Sequence, residues 1–113
     1  MSAPDSPEVD AATAEKLVRD GSAVLVDVRE PDEWAAGHAP HARHLPLGVL
    51  NPADVPGDRP VIAVCRSGKR SAVATGRLRD AGLDARNLTG GMNAWAQAGL
   101  PVVTDDDRPG TVA

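Results

Sequence analysis

Two stretches of the chain are apolar at nearly every position: Ala23-Val24-Leu25-Val26-Asp27-Val28 and Pro60-Val61-Ile62-Ala63-Val64-Cys65. Neither alternates with polar residues, as a strand with one wet face would. Continuous β-branched runs of this length predict strands covered on both faces, as in a parallel sheet. Segments with helical spacing surround them. Ala14, Leu17 and Val18 recur at i, i+3, i+4 in a segment from about Ala11 to Arg19, with Asp10 placed to cap its start and Gly21 just past its end. Pro31 suits the first turn of a short helix through Ala36, ended by Gly37. A longer helix is expected from about Arg70 to Ala81, with Ala74, Leu78 and Ala81 on one face and Gly82 after it. A last helix carries Met92, Trp95 and Ala96 and closes at Gly99 and Pro101. Short strands are expected within 42–46, after the turn Gly37-His38-Ala39-Pro40, and at Ala85–Leu88. Strands alternating with helices predict an α/β domain with a largely parallel sheet. Ligands of such sheets sit beyond the carboxyl ends of the strands. Cys65 falls there, and so do Asp27 to Glu30.

Composition narrows this picture. A chain of 113 residues, 42% hydrophobic and 25% charged, suits one folded domain with one core. It has no Phe and no Tyr. Its core must therefore come from Val, Leu, Ile and Ala, with Trp34 and Trp95 expected to pack within it on helical faces. Residues 1–8 read as a flexible lead-in and 104–113 as a flexible acidic tail, which leaves 9–103 as the domain. The start, MSAPDSPEVD, has neither a basic stretch nor an apolar run, so no signal peptide is expected. No segment approaches the roughly 20 apolar residues that span a bilayer. With a single cysteine there is no internal disulfide, and the expected location is the reducing cytoplasm. A formal charge of −4 argues against a nucleic-acid partner.

The only thiol sits in the most basic part of this acidic chain. Cys65-Arg66-Ser67-Gly68-Lys69-Arg70-Ser71 joins the second apolar strand to a helix start. Unpaired amides of the first helical turn and the helix dipole favour negative charge there. Arg66, Lys69 and Arg70 add three cations within six residues. Gly68 lets successive amides face inward as an anion-binding nest. A thiolate, the nucleophilic form, is favoured. A lone cysteine in most proteins is merely buried and inert. The basic, glycine-containing surroundings point instead to a reactive or anion-facing thiol, without naming its substrate.

Four separated motifs carry a resemblance. Asp27-Val28-Arg29-Glu30 with Glu33-Trp34, Gly37-His38-Ala39-Pro40 through Ala42, the Cys65–Ser71 loop, and Leu88-Thr89-Gly90-Gly91-Met92-Asn93-Ala94-Trp95 occur in the order found in the rhodanese-like sulfurtransferases. The match spans about residues 9–103. The chain thus resembles a single-domain rhodanese. That resemblance implies a central parallel five-stranded sheet flanked by helices on both faces. It also implies sulfur transfer from a donor such as thiosulfate, through a Cys65 persulfide, to cyanide, a thiol or an acceptor protein. No cofactor and no metal are implied. Cys65 and Arg70 would be catalytic. Arg66, Ser67, Gly68, Lys69 and Ser71 would bind a small anionic sulfur donor, their inward amides stabilising the persulfide. One position departs from the pattern: His41 stands where the family usually has glycine.

The other candidates read more plainly. Asp27 and Arg29 either orient the catalytic loop or form an ion pair that joins two loops, and the second reading is favoured. Glu30 suits a helix cap or first-turn acid. His38, His41 and His44 recur every three residues, but Pro40 interrupts the stretch and no cysteine or carboxylate completes a ligand set. His38 is read as a turn residue bonded locally. Gly90 and Gly91 are read as a backbone requirement before the last helix. Three rival functions remain open. A phosphatase or arsenate reductase would want five residues between cysteine and arginine, whereas four separate Cys65 from Arg70 and position 71 is Ser. A regulatory binding module would not need the cysteine. A persulfide relay would keep the chemistry and pass sulfur to a partner protein.

Overall fold

The computed structural model describes residues 7–113. Five parallel strands form its centre: β1 (Glu8–Val9), β2 (Val24–Asp27), β3 (Arg43–His44), β4 (Val61–Val64) and β5 (Ala85–Leu88), in the order β1-β5-β4-β2-β3. Helices α1 (Ala11–Arg19), α2 (Pro31–Ala36), α3 (Lys69–Asp80) and α4 (Gly91–Gln97) connect or follow them. Two short 3₁₀ turns, Leu47–Val49 and Pro52–Asp54, fill the proline-rich loop. This is the α/β architecture the pattern predicts, and most boundaries agree to within a residue.

The two apolar runs lie side by side, Val24 opposite Val61 and Asp27 opposite Val64. Their period of two divides them between two cores. Leu25, Ile62 and Val64 face α1 and α4, meeting Ala14, Val18, Met92 and Trp95. Val24, Val26, Val61, Ala63 and Cys65 face α3, meeting Ala74 and Leu78. Both faces are covered, which explains why the runs do not alternate. Cys65 is the last residue of its alternation, so its side chain enters on the α3 side at the carboxyl end of β4.

Local chemistry sets the helix ends. Asp10 accepts a hydrogen bond from Thr13 N–H at 2.8 Å and caps α1. Glu30 occupies the cap position of α2, with Pro31 in its first turn. His41 adopts φ +67°, the left-handed conformation a glycine would take at lower cost.

Three expectations change. Glu8, assigned to the lead-in, pairs with Asn87 in β1, a strand of two residues that is too short to show a period. Residues 104–113 are not a frayed tail. Val103 bridges both His38 and Pro109, Gly110 N–H donates to Val102 O, Thr111 N–H donates to Ala36 O, and Val112 packs against the α1–α4 core. Acidic composition hid this strap because its anchors are backbone groups, one valine and an Asp105 carboxylate whose partners, Trp34 and His38, are distant in sequence. Trp34 is not a core residue. Its ring stacks with His38, with centroids 3.6 Å apart, and with His44, at 4.7 Å. The indole N–H donates to Asp105 at 3.2 Å. Trp95 does fill the core, at 1% exposure.

Candidate active site

The turn from β4 into α3 builds a small cradle around one sulfur atom. Gly68 N–H donates to Cys65 Sγ, 3.0 Å away, and its φ of +109°, open to glycine, then turns the chain into α3. The Ser71 hydroxyl lies 3.3 Å from the same sulfur. α4 holds the loop from below: Met92 N–H donates to Cys65 O at 2.7 Å, and Asn93 N–H to Arg66 O at 3.0 Å. This closeness explains Gly91. A Cβ there would meet Cys65 O and stand 2.5 Å from Arg66 O. The sequence reading of that glycine as a backbone requirement thus has a specific cause.

Cys65 is 1% exposed. Burial is the strongest single influence on its thiol and pushes the pKa up. The Ser71 hydroxyl and the amides of Ser71, Gly68 and Ser67 together outweigh it, so the thiol lies below its ordinary value. The thiolate is favoured by hydrogen bonds to the charged sulfur.

The predicted residues divide into groups. Ser67, Gly68 and Ser71 converge on the sulfur. Arg66 and Lys69 are exposed at the loop's surface and have no acidic partner among the described residues. Arg70 is different. Both Glu33 carboxylate oxygens receive it, at 2.6 and 2.9 Å. That fork lowers the Glu33 pKa to about 2, against an opposing effect of burial, and raises that of Arg70. Glu33 also accepts from Glu30 N–H at 3.0 Å, so α2 and α3 are joined through one carboxylate.

Asp27 and Arg29 form a buried fork, with Nε at 3.0 Å and Nη2 at 2.8 Å from the carboxylate. Arg29 Nη2 also donates to Gly37 O at 2.8 Å, and His44 Nε2 meets Arg29 O at 2.8 Å. The pair therefore joins the end of β2 to the 37–44 turn. It makes no hydrogen bond to residues 65–71 among the described residues. His38 is held by Ala39 O at 3.2 Å and Asp105 at 2.9 Å. The three histidines thus form no common ligand set: two stack on Trp34, and His41 lies on the other side of the turn beside α1.

Sequence reasoning missed two residues. Glu33 appears in it only as a motif letter. Asn87 does not appear at all, although it contacts both Gly68 and Ser71. An asparagine inside a short strand of mixed polarity gives no periodic or motif signal of such a role.

No helix among the described residues is long and apolar enough to cross a membrane. The model of the rhodanese-like domain matches residues 10–98. A sulfurtransferase of Allochromatium vinosum is 38% identical over 103 residues, covering 88% of this chain and 96% of that protein. Two other curated relatives, 40% and 42% identical, are longer, and the chain spans about half their length. Among solved structures, a rhodanese-related protein from Thermoplasma volcanium has a TM-score of 0.82 at 28% identity, covering 88% of this chain and 99% of that one. A thiosulfate sulfurtransferase from Pseudomonas aeruginosa has a TM-score of 0.80 at 26% identity, covering 96% of this chain and 22% of that one. With the model match covering most of its length, the chain belongs to the family of rhodanese-like domains, whose members include sulfurtransferases.

Proposed function

We propose that the protein transfers sulfane sulfur through a persulfide on Cys65. The observation that carries this reading is the convergence of Gly68 N–H and the Ser71 hydroxyl on a single buried sulfur at the carboxyl end of β4. The Cys65 thiolate attacks the outer sulfur of a small anionic donor such as thiosulfate. A sulfur–sulfur bond forms on Cys65, the donor's own sulfur–sulfur bond breaks, and sulfite leaves with the electron pair. A thiophilic acceptor then attacks the outer sulfur and returns Cys65 to its thiolate. No general base is invoked, because the loop's hydrogen bonds favour the thiolate, the nucleophilic form.

The loop amides stabilise the terminal persulfide charge. Arg66 and Lys69, exposed and unpaired by acids among the described residues, draw the anionic donor to the mouth. Arg70, held in place by Glu33, adds positive charge near enough to act on the Cys65 charge. This anchoring also favours sulfur over phosphate: with both Glu33 oxygens on the Arg70 guanidinium, that fork is engaged already. The acceptor in the cell is a thiol or an acceptor protein.

Intact mass spectrometry tests the reading. Thiosulfate should give a species about one sulfur atom heavier, reversed by cyanide and absent in Cys65→Ser. No added sulfur with thiosulfate or with other persulfide donors would remove the catalytic claim.

A further inference from the structure

We infer that Asn87 is a positioning residue for the Cys65 sulfur, an assignment that rests on the sulfur-transfer reading but is measured without turnover. Asn87 lies in β5 and is 4% exposed. Both ends of its amide are engaged. Nδ2 faces two acceptors, Gly68 O at 3.0 Å and Glu8 Oε2 at 3.3 Å. They fix the orientation of the amide, which leaves Oδ1 against the Ser71 hydroxyl at 2.6 Å.

The two residues held by Asn87 are two of the three that stabilise the sulfur. Gly68 supplies its N–H and Ser71 its hydroxyl. Gly68 is also the cap residue of α3 and has no side chain to secure the helix start. Its carbonyl receives the first helical bond, from Ala72 N–H at 3.1 Å, and Asn87 takes the remaining acceptor direction from the neighbouring strand. Glu8 steadies Asn87 in turn, its other oxygen accepting from Thr89 Oγ1 at 2.8 Å. A continuous set of hydrogen bonds thus runs from the edge strand β1, through β5, to Gly68 and Ser71.

Ser71 has one hydroxyl proton and two acceptors, Asn87 Oδ1 and Cys65 Sγ. With a thiol, the hydroxyl donates to Asn87 and leaves a lone pair toward the S–H. With a thiolate or persulfide, the charge-assisted bond to sulfur is the stronger one, and the proton turns to it. Asn87 Oδ1 then loses its bond from Ser71, but Nδ2 still holds Gly68 O and with it the Gly68 N–H on sulfur. The prediction is that losing the amide weakens the thiolate.

The experiment is the pH dependence of iodoacetamide alkylation of Cys65, which needs no sulfur transfer. Asn87→Ala should move the midpoint upward, with roughly 3- to 10-fold less thiolate at a fixed pH below it, the size expected for a lost hydrogen bond. Asn87→Asp should move it further, since a carboxylate oxygen would then oppose Gly68 O and Glu8. The combined Asn87→Ala/Ser71→Ala variant should shift further than Ser71→Ala alone, because the part of the effect that passes through Gly68 remains. If Asn87→Ala does not fold, Glu8→Ala serves in its place, with a smaller shift in the same direction. An unchanged midpoint in a folded Asn87→Ala protein would overturn the assignment. So would a lower one, which would mean that the amide withholds the Ser71 proton from sulfur. If alkylation behaves as predicted and thiosulfate adds no sulfur, the positioning role stands and the transfer reading fails.

Discussion

Asp27–Arg29 and Glu33–Arg70 join the same two kinds of side chain, and both lie near the carboxyl ends of β2 and β4. Their surroundings differ. The first pair is wholly buried, with side chains at 0% and 0% exposure; in the second, Arg70 is 36% exposed and Glu33 16%. Arg29 spends its remaining contacts on a backbone carbonyl of the 37–44 turn, whereas Arg70 is near enough to Cys65 for the two charges to interact. A buried pair is costly to break because the surviving charge is stranded. A half-exposed pair contributes little to stability, since water screens it. The first is therefore architecture, and the second is placed to affect chemistry at small cost to the fold.

The strongest way to break this contrast is to remove one partner of the buried pair. Arg29→Met should lower the unfolding free energy by about 3–5 kcal/mol, a large share of the roughly 5–15 kcal/mol typical of such domains. Urea titration measures it. A loss below about 1 kcal/mol would put the two pairs in the same class.

Next in size is the effect on chemistry. Arg70→Ala should slow sulfur uptake from thiosulfate about tenfold, equivalent to ~1.4 kcal/mol in the barrier. The same variant should lose less than about 1 kcal/mol of stability. Stopped-flow persulfide formation and urea titration on one preparation give both numbers. A large stability loss with normal uptake would reverse the assignment of roles.

Acid sharpens the comparison further. The Glu33 pKa falls from 4.5 to about 2 in the folded protein. A carboxylate with a depressed pKa stabilises the fold fully above its unfolded value and loses that contribution as pH falls toward the folded one. Wild type should therefore exceed Glu33→Gln in stability at neutral pH by less than about 1 kcal/mol, after allowance for exposure. The difference should shrink below pH 4.5 and vanish near pH 2. Thermal denaturation at a series of pH values reads it. A difference that persists at pH 2 would mean that glutamine fails to fit, and that charge is not the cause.

Much of this was legible from residue order. The two apolar runs, the capping residues and the glycines gave the strands and helices, because one residue sets each feature within a few positions of itself. Cys65 and its loop were legible for the same reason. Glu33 with Arg70, Asn87 with Gly68 and Ser71, and Trp34 with Asp105 were not. Each joins residues far apart in sequence whose meeting depends on strand order and on the docked C-terminal strap. Trp34 shows the limit well: its spacing suits a helical core face, yet α2 is six residues long and has no fully buried position.

The smallest expected effect separates the cations of the loop from one another. Lys69 begins α3, is exposed, and has no acidic partner among the described residues. Its charge sits on a flexible stem in water, where it acts as part of a general field. Lys69→Ala should therefore lower the uptake rate from thiosulfate by about twofold or less at low salt, and the loss should disappear once added salt shortens the screening length to a few ångströms. Arg70 is held by two hydrogen bonds and a shared carboxylate, so its larger effect should survive the same salt. Equal losses for Lys69→Ala and Arg70→Ala, both erased by salt, would show that the Glu33 anchor gives Arg70 no special standing. The contrast between the two pairs would then concern stability alone.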